Sequence, residues 1–547
     1  MTRVTPGESP RRGFAGDLWH LADLVRAAET RRSFRSKAFA RAIWSLDEVD
    51  PSLQLDRDDL LAVPGIGPGV AGLIAEYRQQ GFLTELSKLE REFPREAGKI
   101  RRLPRMTPRI QRDLKLRGVE TRADLRFAIE SAAFGDSLTG VGPLTLELWK
   151  TVLALPPSDT AIPAHEAWVT ATALASHISS GTGAWVDVAG EVRRVEEWVE
   201  TLTLTVATTD RPRVARFLAE TSVLAGSDVG GPHITATTHS GVAVAVDVGA
   251  PEEAGTMLLI ATGPPEHVAT IETEGSQPTE HEVYKAAGFG WIPPPARVLP
   301  VDLGSQVVVA EEVRGDLHVH THASPDGRLS LDEIAATALE HNYEYVLITD
   351  HTIGLRFGGL DASALHRQAD EIADTRTRHP GLVMLHGAEL NIDRYGELDI
   401  DEQGLELLDF AVAGLHSHFG LGRTEQTERL IAGISHPVVK VLAHPFGRRI
   451  GVRPGIEVEF DQVIDAAVGL QVALESNGHR DRLDLATPWV EKAAERGAVF
   501  AANSDAHRSP ELANTTTALA SLQRAGVSGD RVVNTWPTDR LLGWAAR

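Results

Sequence analysis

From about residue 312 to the C-terminus, short apolar runs recur between helix-length amphipathic stretches, and this alternation limits the fold more than any other feature of the chain. Seven strand candidates, 316–319, 345–349, 382–386, 410–415, 439–443, 470–474 and 498–502, alternate with helical segments in the manner of parallel α/β units. In such folds the side chains at the C-terminal ends of the strands converge on one mouth. The residues that fall there are chemically alike. His318 and His320 close the first strand, with Asp326 following in a Ser-Pro-Asp-Gly turn. His351, Glu389, His416 and His444 follow the second to fifth strands, and Asp505 and His507 follow the seventh. Fourteen of the chain's 21 histidines lie in this region.

The chain has no cysteine, which excludes disulfides, thiol nucleophiles and Cys-ligated zinc, so any metal must sit on His, Asp or Glu. A single His-x-His in a strand is more often structural than metal-binding, and lone histidines such as His341 or His379 read as surface residues. The same polar types after six of seven successive strands do not fit a purely structural role. A Zn²⁺ or Mn²⁺ ion takes about four to six ligands, so nine imply two or three ions. Clustered divalent ions suit phosphoester hydrolysis, because they acidify water, orient the phosphate and neutralise the leaving oxygen.

The segments Gly315-Asp-Leu-His-Val-His-Thr321, Ile348-Thr-Asp-His351, Gly387-Ala-Glu389, His416-Ser417, Ala443-His-Pro445 and Ser504-Asp-Ala-His507 resemble the PHP (polymerase and histidinol phosphatase) superfamily. The resemblance implies a distorted (β/α)7 barrel with a trinuclear metal site. Its ligands here would be His318, His320, Asp326, His351, Glu389, His416, His444, Asp505 and His507, with Glu389 bridging two ions. No catalytic residue is then needed beyond a metal-bound hydroxide. Arg448 and Asn477 are nearby candidates for contact with the phosphate, with capping or surface solvation as the competing reading.

The remainder reads as further domains. At 547 residues the chain is long enough for three or four. Its net charge of −22 excludes uniform coating of nucleic acid, but residues 1–126 carry about +6. Residues 14 to about 155 read as helical, with Gly-x-Gly turns at Gly65-Ile-Gly67-Pro-Gly69 and Gly140-Val-Gly142. Such a turn presents backbone N–H groups to a phosphate, and 63–69 resembles a helix-hairpin-helix, a module that grips DNA backbone without reading bases. Residues 91–126, with Arg101, Arg102, Arg105 and Arg109, are Arg-rich. One helix (167–180) and the strand-like runs Ala184–Val188, Thr201–Ala207, His233–Thr238 and Val242–Val248 then predict an α+β region.

Helical hairpins, an α+β middle and a PHP end, in that order, resemble bacterial family-X DNA polymerases. That resemblance implies a multidomain α/β chain: a helix-hairpin-helix domain at 14–95, a second Arg-rich hairpin-like region at 96–155, a nucleotidyltransferase-like palm and thumb at 160–297, and the PHP domain at 311–547. The middle departs from the family. Gly190-Glu-Val-Arg-Arg194 has a carboxylate in place of the expected serine, the metal-binding Asp-x-Asp becomes Thr201-Leu-Thr203, and only Asp247 remains. Threonines cannot hold two hard cations against a triphosphate. Nucleotide addition is expected to be absent, and so is Schiff-base lyase chemistry, since Leu73 stands at the lysine position.

The expectation is a cytoplasmic, metal-dependent 3′–5′ exonuclease or 3′-end-processing enzyme of DNA repair. It would bind DNA backbone and two or three Zn²⁺ or Mn²⁺ ions, and use no nucleotide cofactor. A small-molecule phosphomonoesterase and a non-catalytic DNA-end scaffold are the rivals.

Overall fold

A computed structural model describes residues 10–29, 34–46, 57–131, 141–271, 275–355 and 358–546. It divides into two compact units, the first built mainly from residues up to Thr262 and the second mainly from Tyr284 onward.

The first unit begins with helices, among the described residues Pro10–Ala28, Phe34–Ser45, Arg57–Ala62, Pro68–Gln80, Thr84–Glu92, Ala97–Arg101, Pro108–Leu116, Arg122–Glu130 and Pro143–Ala154. Pro68, Pro108 and Pro143 each open a helix, where a residue without an N–H loses no hydrogen bond. Thr121 and Asp124 cap one another's backbone N–H groups at the start of Arg122–Glu130. Two apolar clusters form here. One runs from Phe14 to Ala97, and the other runs from Ile100 to Leu153 around the fully buried Trp149.

A mixed sheet follows: β1 (Trp185–Ala189), β2 (Thr201–Ala207), β3 (Leu224–Asp228), β4 (His233–Thr238) and β5 (Ala243–Gly249), in spatial order β1-β2-β5-β4-β3. Only β2 and β5 pair in parallel. Leu202, Leu204, Val206, Val244, Val246 and Val248 share one apolar cluster with residues of helix Ala164–Thr182. The strand β3 is not predicted by the sequence analysis, because Leu-Ala-Gly-Ser-Asp shows no alternation and carries an interior glycine.

In the second unit, β6 (Gly315–Val319), β7 (Tyr345–Ile348) and β8 (Val383–His386) form a parallel sheet in the order β8-β7-β6. A second parallel sheet runs β9 (Glu389–Asn391), β10 (Ala411–Gly414), β11 (Val439–Leu442), β12 (Ala473–Asn477) and β13 (Phe500–Asn503). Single parallel bridges join the sheets at His351–Glu389 and Val319–Ala506. Most of these strand residues are buried, as parallel strands covered by helices on the outside must be. The helices lie between the strands, among them Leu331–Glu340, Ala362–Arg378, Arg423–Ile434, Phe460–Leu470, Thr487–Glu495 and Asn514–Arg524.

Two expectations need correction. The third strand is split. It pairs with β7 up to His386, then crosses at Gly387-Ala388 and resumes as β9 in the other sheet. A Cβ on Gly387 would stand 2.8 Å from both Leu347 and the Phe410 carbonyl, so only glycine allows the crossing. The sixth strand is Ala473–Asn477, not 470–474, because helix Phe460–Leu470 runs to Leu470 and Gln471 turns the chain at φ 57°. The three-residue shift puts Glu475 and Asn477 at the strand end. No helix among the described residues is long and apolar enough to cross a membrane.

Candidate metal centre

The strands of the second unit deliver their terminal polar residues to one place. Glu389, the first residue of β9, is the hub. Its Oε1 lies 2.9 Å from His416 Nε2 and 2.9 Å from His444 Nε2. Its Oε2 lies 3.0 Å from His351 Nδ1, 3.3 Å from His318 Nε2 and 3.5 Å from His320 Nε2. Asp505 Oδ1 approaches His320 Nε2 at 3.3 Å and His318 Nε2 at 3.5 Å. At the outer edge Asp326 stands 3.4 Å from His507 Nε2 and 3.8 Å from His351 Nε2. The His320 and His507 rings stack at 4.2 Å. All nine residues singled out in the sequence are therefore brought together.

The donor atoms of eight of them, all but Asp326, fall in four overlapping three-residue groups: His318–Glu389–His444, His318–His320–Asp505, His351–Glu389–His416 and His320–His351–His507. The chemistry of these atoms fits cations. His318 Nε2, His320 Nε2, His351 Nδ1, Glu389 Oε1 and both ring nitrogens of His416 are buried and make no hydrogen bond within the protein. Orphaned buried polar atoms cost about 1–3 kcal/mol each. Here the Nε2 atoms of His318, His320 and His416 and the Nδ1 atom of His351 face the Glu389 carboxylate at 2.9–3.5 Å, the spacing of donors that share an ion. Shared residues between groups make the arrangement that of a multinuclear site.

Electrostatics point the same way. Burial raises Glu389 and Asp505, but the surrounding histidines outweigh it and hold both carboxyls well below the usual range. His318 is held well above its ordinary value because Glu475, Asp505 and Glu389 overcome its burial. Burial and the neighbouring His507 and His351 push His320 down. Burial lowers His507, but Asp326 and Asp505 raise it to about 9. Protons and cations thus compete for the same nitrogens.

Several supporting residues escape sequence reasoning. Glu475 Oε1 accepts from His318 Nδ1 at 2.7 Å, and its Oε2 accepts the His444 backbone N–H at 2.7 Å. Asp350 accepts from the Thr321 and Ser324 backbone, the Thr321 hydroxyl and Gln368, which shapes the loop carrying Asp326. Arg482 Nε sits 3.4 Å from Asp505 Oδ2. The Asp in Thr-Asp-His is a readable signal for Asp350, whereas the misplaced sixth strand hid Glu475. His444 and Asp505 adopt positive φ values of 27° and 54°. Non-glycine residues held in that region cost about 1–3 kcal/mol and cluster at functional sites.

The other candidate residues are placed differently. Asn477 is fully buried and donates to Glu475 and Asp505 at 3.1 Å, behind the nine residues rather than at their mouth. Arg448 donates to the Leu483 carbonyl. Gly65, at φ +88°, makes the turn into helix Pro68–Gln80, and a Cβ there would stand 2.6 Å from Ser45 Oγ. Gly67 and Gly69 are exposed with open space around them. Gly142 is the exposed residue that begins helix Pro143–Ala154, and Gly140 lies outside the described residues.

Much of the Arg-rich stretch serves the fold. Lys99, Arg102, Arg112, Lys115 and Arg117 pair with Glu96, Glu166, Glu92, Glu120 and Asp113. Arg101 and Arg105 bond to the Met106 carbonyl and the Thr145 hydroxyl, while Arg109 is exposed. In the middle sheet, Glu191 accepts the backbone N–H groups of Glu200 and Thr201, and Asp247 Oδ1 lies 2.6 Å from His233 Nδ1.

Comparison with known proteins agrees with this geometry. The PHP domain family matches residues 316–494. Over 94% of this chain and 97% of the relative, the sequence is 29% identical to the DNA polymerase/3'-5' exonuclease PolX of Bacillus subtilis (strain 168). A probable phosphatase of Syntrophotalea carbinolica is 28% identical over 40% of this chain and 90% of its own length. The probable phosphatase YcdX of Escherichia fergusonii is 29% identical over 42% of this chain and 92% of its own.

Proposed function

From the premise that this chain is PolX-like and carries a C-terminal PHP domain, we propose that it is a metal-dependent DNA phosphoesterase, a 3′–5′ exonuclease or 3′-end-processing enzyme. The observation that carries the reading is the convergence of eight His, Asp and Glu side chains in overlapping groups, with Asp326 at their outer edge, several of whose buried donor atoms make no hydrogen bond within the protein. His318, His320, Asp326, His351, Glu389, His416, His444, Asp505 and His507 would hold two or three Zn²⁺ or Mn²⁺ ions, with Glu389 shared between them. Bound ions there would supply Lewis acidity and an activated water for phosphodiester hydrolysis. The protein's part is to hold the donors in place, through Glu475, Asp350 and the strained backbones of His444 and Asp505. Arg482 sets a guanidinium beside Asp505, where it can pair with a phosphate oxygen.

The same reading makes the second unit a distorted (β/α)7 barrel and divides the rest at 14–95, 96–155 and 160–297. Separate apolar clusters in each stretch support that division. The exposed Gly67 and Gly69 at a helix start would contact DNA backbone. The middle region would act as a scaffold without nucleotide addition. Thr201 and Thr203 are neutral where two carboxylates are needed, and the Glu191 carboxylate is engaged by backbone N–H groups. Leu73 packs against the N-terminal apolar cluster, which leaves no lysine there for lyase chemistry.

The decisive experiment follows a 5′-labelled primer–template with Mn²⁺, for wild type and His444→Ala, with and without dNTPs. Stepwise shortening that His444→Ala abolishes, with no extension, is the expected result. Primer extension would refute the scaffold reading. A second reading, a small-molecule phosphomonoesterase, is favoured by the probable phosphatases that match only about two fifths of the chain. It would be upheld by release of phosphate from small monoesters with no shortening of DNA.

A further inference from the structure

We propose that Glu475 is a positioning residue that fixes His318 and His444, making the buried end of the centre the tightly held cation position and the Asp326–His507 end the exchangeable one. This rests on the metal-centre reading above. Glu475 is fully buried on β12 and receives four donors. Its Oε1 accepts from His318 Nδ1 at 2.7 Å and Asn503 Nδ2 at 2.9 Å. Its Oε2 accepts from the His444 backbone N–H at 2.7 Å and Asn477 Nδ2 at 3.1 Å.

Two consequences follow from these contacts. A proton kept on His318 Nδ1 by a carboxylate leaves the Nε2 lone pair directed at Glu389 and Asp505, and a carboxylate behind a histidine increases its strength as a ligand. His444, meanwhile, is held in an unfavourable backbone conformation, and the bond from its N–H to Glu475 anchors that backbone. One side chain therefore sets two ligands, one through its ring and the other through its main chain. Two further rings of the centre, inner His320 and outer His507, have neutral supports instead. His320 Nδ1 faces Ser324 Oγ at 3.3 Å, and His507 Nδ1 faces the Asp505 carbonyl at 2.8 Å.

Burial is graded in the same direction. The side chains of His318, Glu389 and His444 are 0–1% exposed. His507 is 21% exposed and Asp326 59%. A cation held by the first set would therefore exchange with solvent more slowly than one held by the second. An ion held by Asp326 and His507 lies next to solvent.

The test is stepwise chelation of the full-length protein loaded with Mn²⁺ or Zn²⁺, with bound ions counted by elemental analysis at each chelator concentration. Wild type should release ions in two phases. In Glu475→Gln the late phase should move to about 10–100-fold weaker affinity with the early phase unchanged. Asp326→Asn should do the reverse. Glu475→Asp, which keeps the charge but draws it back, should fall between wild type and Glu475→Gln, and it carries the same test if Glu475→Gln shows no cooperative melt in EDTA. A positioning role shrinks the ion-induced rise in melting temperature, whereas a merely structural role lowers the melt equally with and without ions. An unaltered late phase, or equal weakening of both phases, overturns the proposal. If His444→Ala binds as many ions as wild type, it is the metal-centre reading that fails.

Discussion

Gly414, the last residue of β10, faces the centre from the strand that leads to His416. A methyl group added there would stand 2.9 Å from His444 Cε1 and 3.1 Å from Glu389 Oε1. Carbon contacts settle at about 3.5–4.0 Å, so Gly414→Ala requires His444 to move by roughly 0.5–1 Å, with smaller shifts of Glu389 and of Ala443, whose Cβ would be 3.3 Å away. Without ions the His444 ring can turn aside, and the cost to stability should be small. With ions both neighbours are pinned, and the overpacking cost of about 1–3 kcal/mol falls on metal affinity. That range corresponds to about 5- to 150-fold weaker binding. Chelator competition gives the affinity, and melts in EDTA and in excess Mn²⁺ give the two stabilities. The predicted pattern is a near-normal melt in EDTA with a reduced ion-induced rise. If Gly414→Ala destabilises both forms equally while binding ions like wild type, then His444 and Glu389 do not hold an ion together.

Three further outcomes follow. Burial raises Asp481, but His479 and Arg449 hold it well below the ordinary 3.8, while Asp481 lifts His479 above 6.5 against burial. The Asp481 contribution is lost as pH falls through its lowered folded pKa, and the His479 contribution is lost as pH rises through its raised one. The stability difference between wild type and Asp481→Asn in EDTA should therefore be largest between about pH 4 and 6.5, about 1–2 kcal/mol by urea denaturation. A difference that stays constant from pH 5 to 9 would contradict this. Gly69→Glu, with open space for its side chain, should weaken DNA binding and flatten its salt dependence by about one unit. Hydrolysis of a small phosphodiester should be unaffected, and unchanged DNA affinity would remove the first hairpin from the interface. Trp149 is fully buried and donates to the Pro104 carbonyl at 2.7 Å, so Trp149→Ala should cost about 3–5 kcal/mol in the 100–153 cluster. Calorimetry should show one shifted transition, and a loss of ion binding instead would mean that this cluster is not independent of the metal centre.

The fold of the second unit was legible because parallel strands buried on both faces leave runs such as Tyr345–Ile348 and Val439–Leu442, which are too short for a buried helix and too apolar for a loop. The middle sheet was legible where β2, β4 and β5 alternate, and illegible at β3, which carries little apolar surface of its own. Basic residues in 91–126 read as a surface charge. Most of them instead form ion pairs or hydrogen bonds within the fold, with partners such as Glu166 that lie far away in sequence.

The sequence alone determined which residue types stand at the strand ends, because hydrophobic periodicity marks where a buried strand stops and the next residues reach the mouth. It therefore brought out His318, His320, Asp326, His351, Glu389, His416, His444, Asp505 and His507. Only the tertiary structure decided how those residues are supported. A crossing strand at Gly387 makes Glu389 the hub, and a three-residue shift of the sixth strand places Glu475 behind His318 and His444. It also takes Asn477 away from the mouth and into that support. Periodicity reports burial one element at a time, whereas a hydrogen bond between residues 157 apart, as between His318 and Glu475, exists only once the sheets have closed on each other.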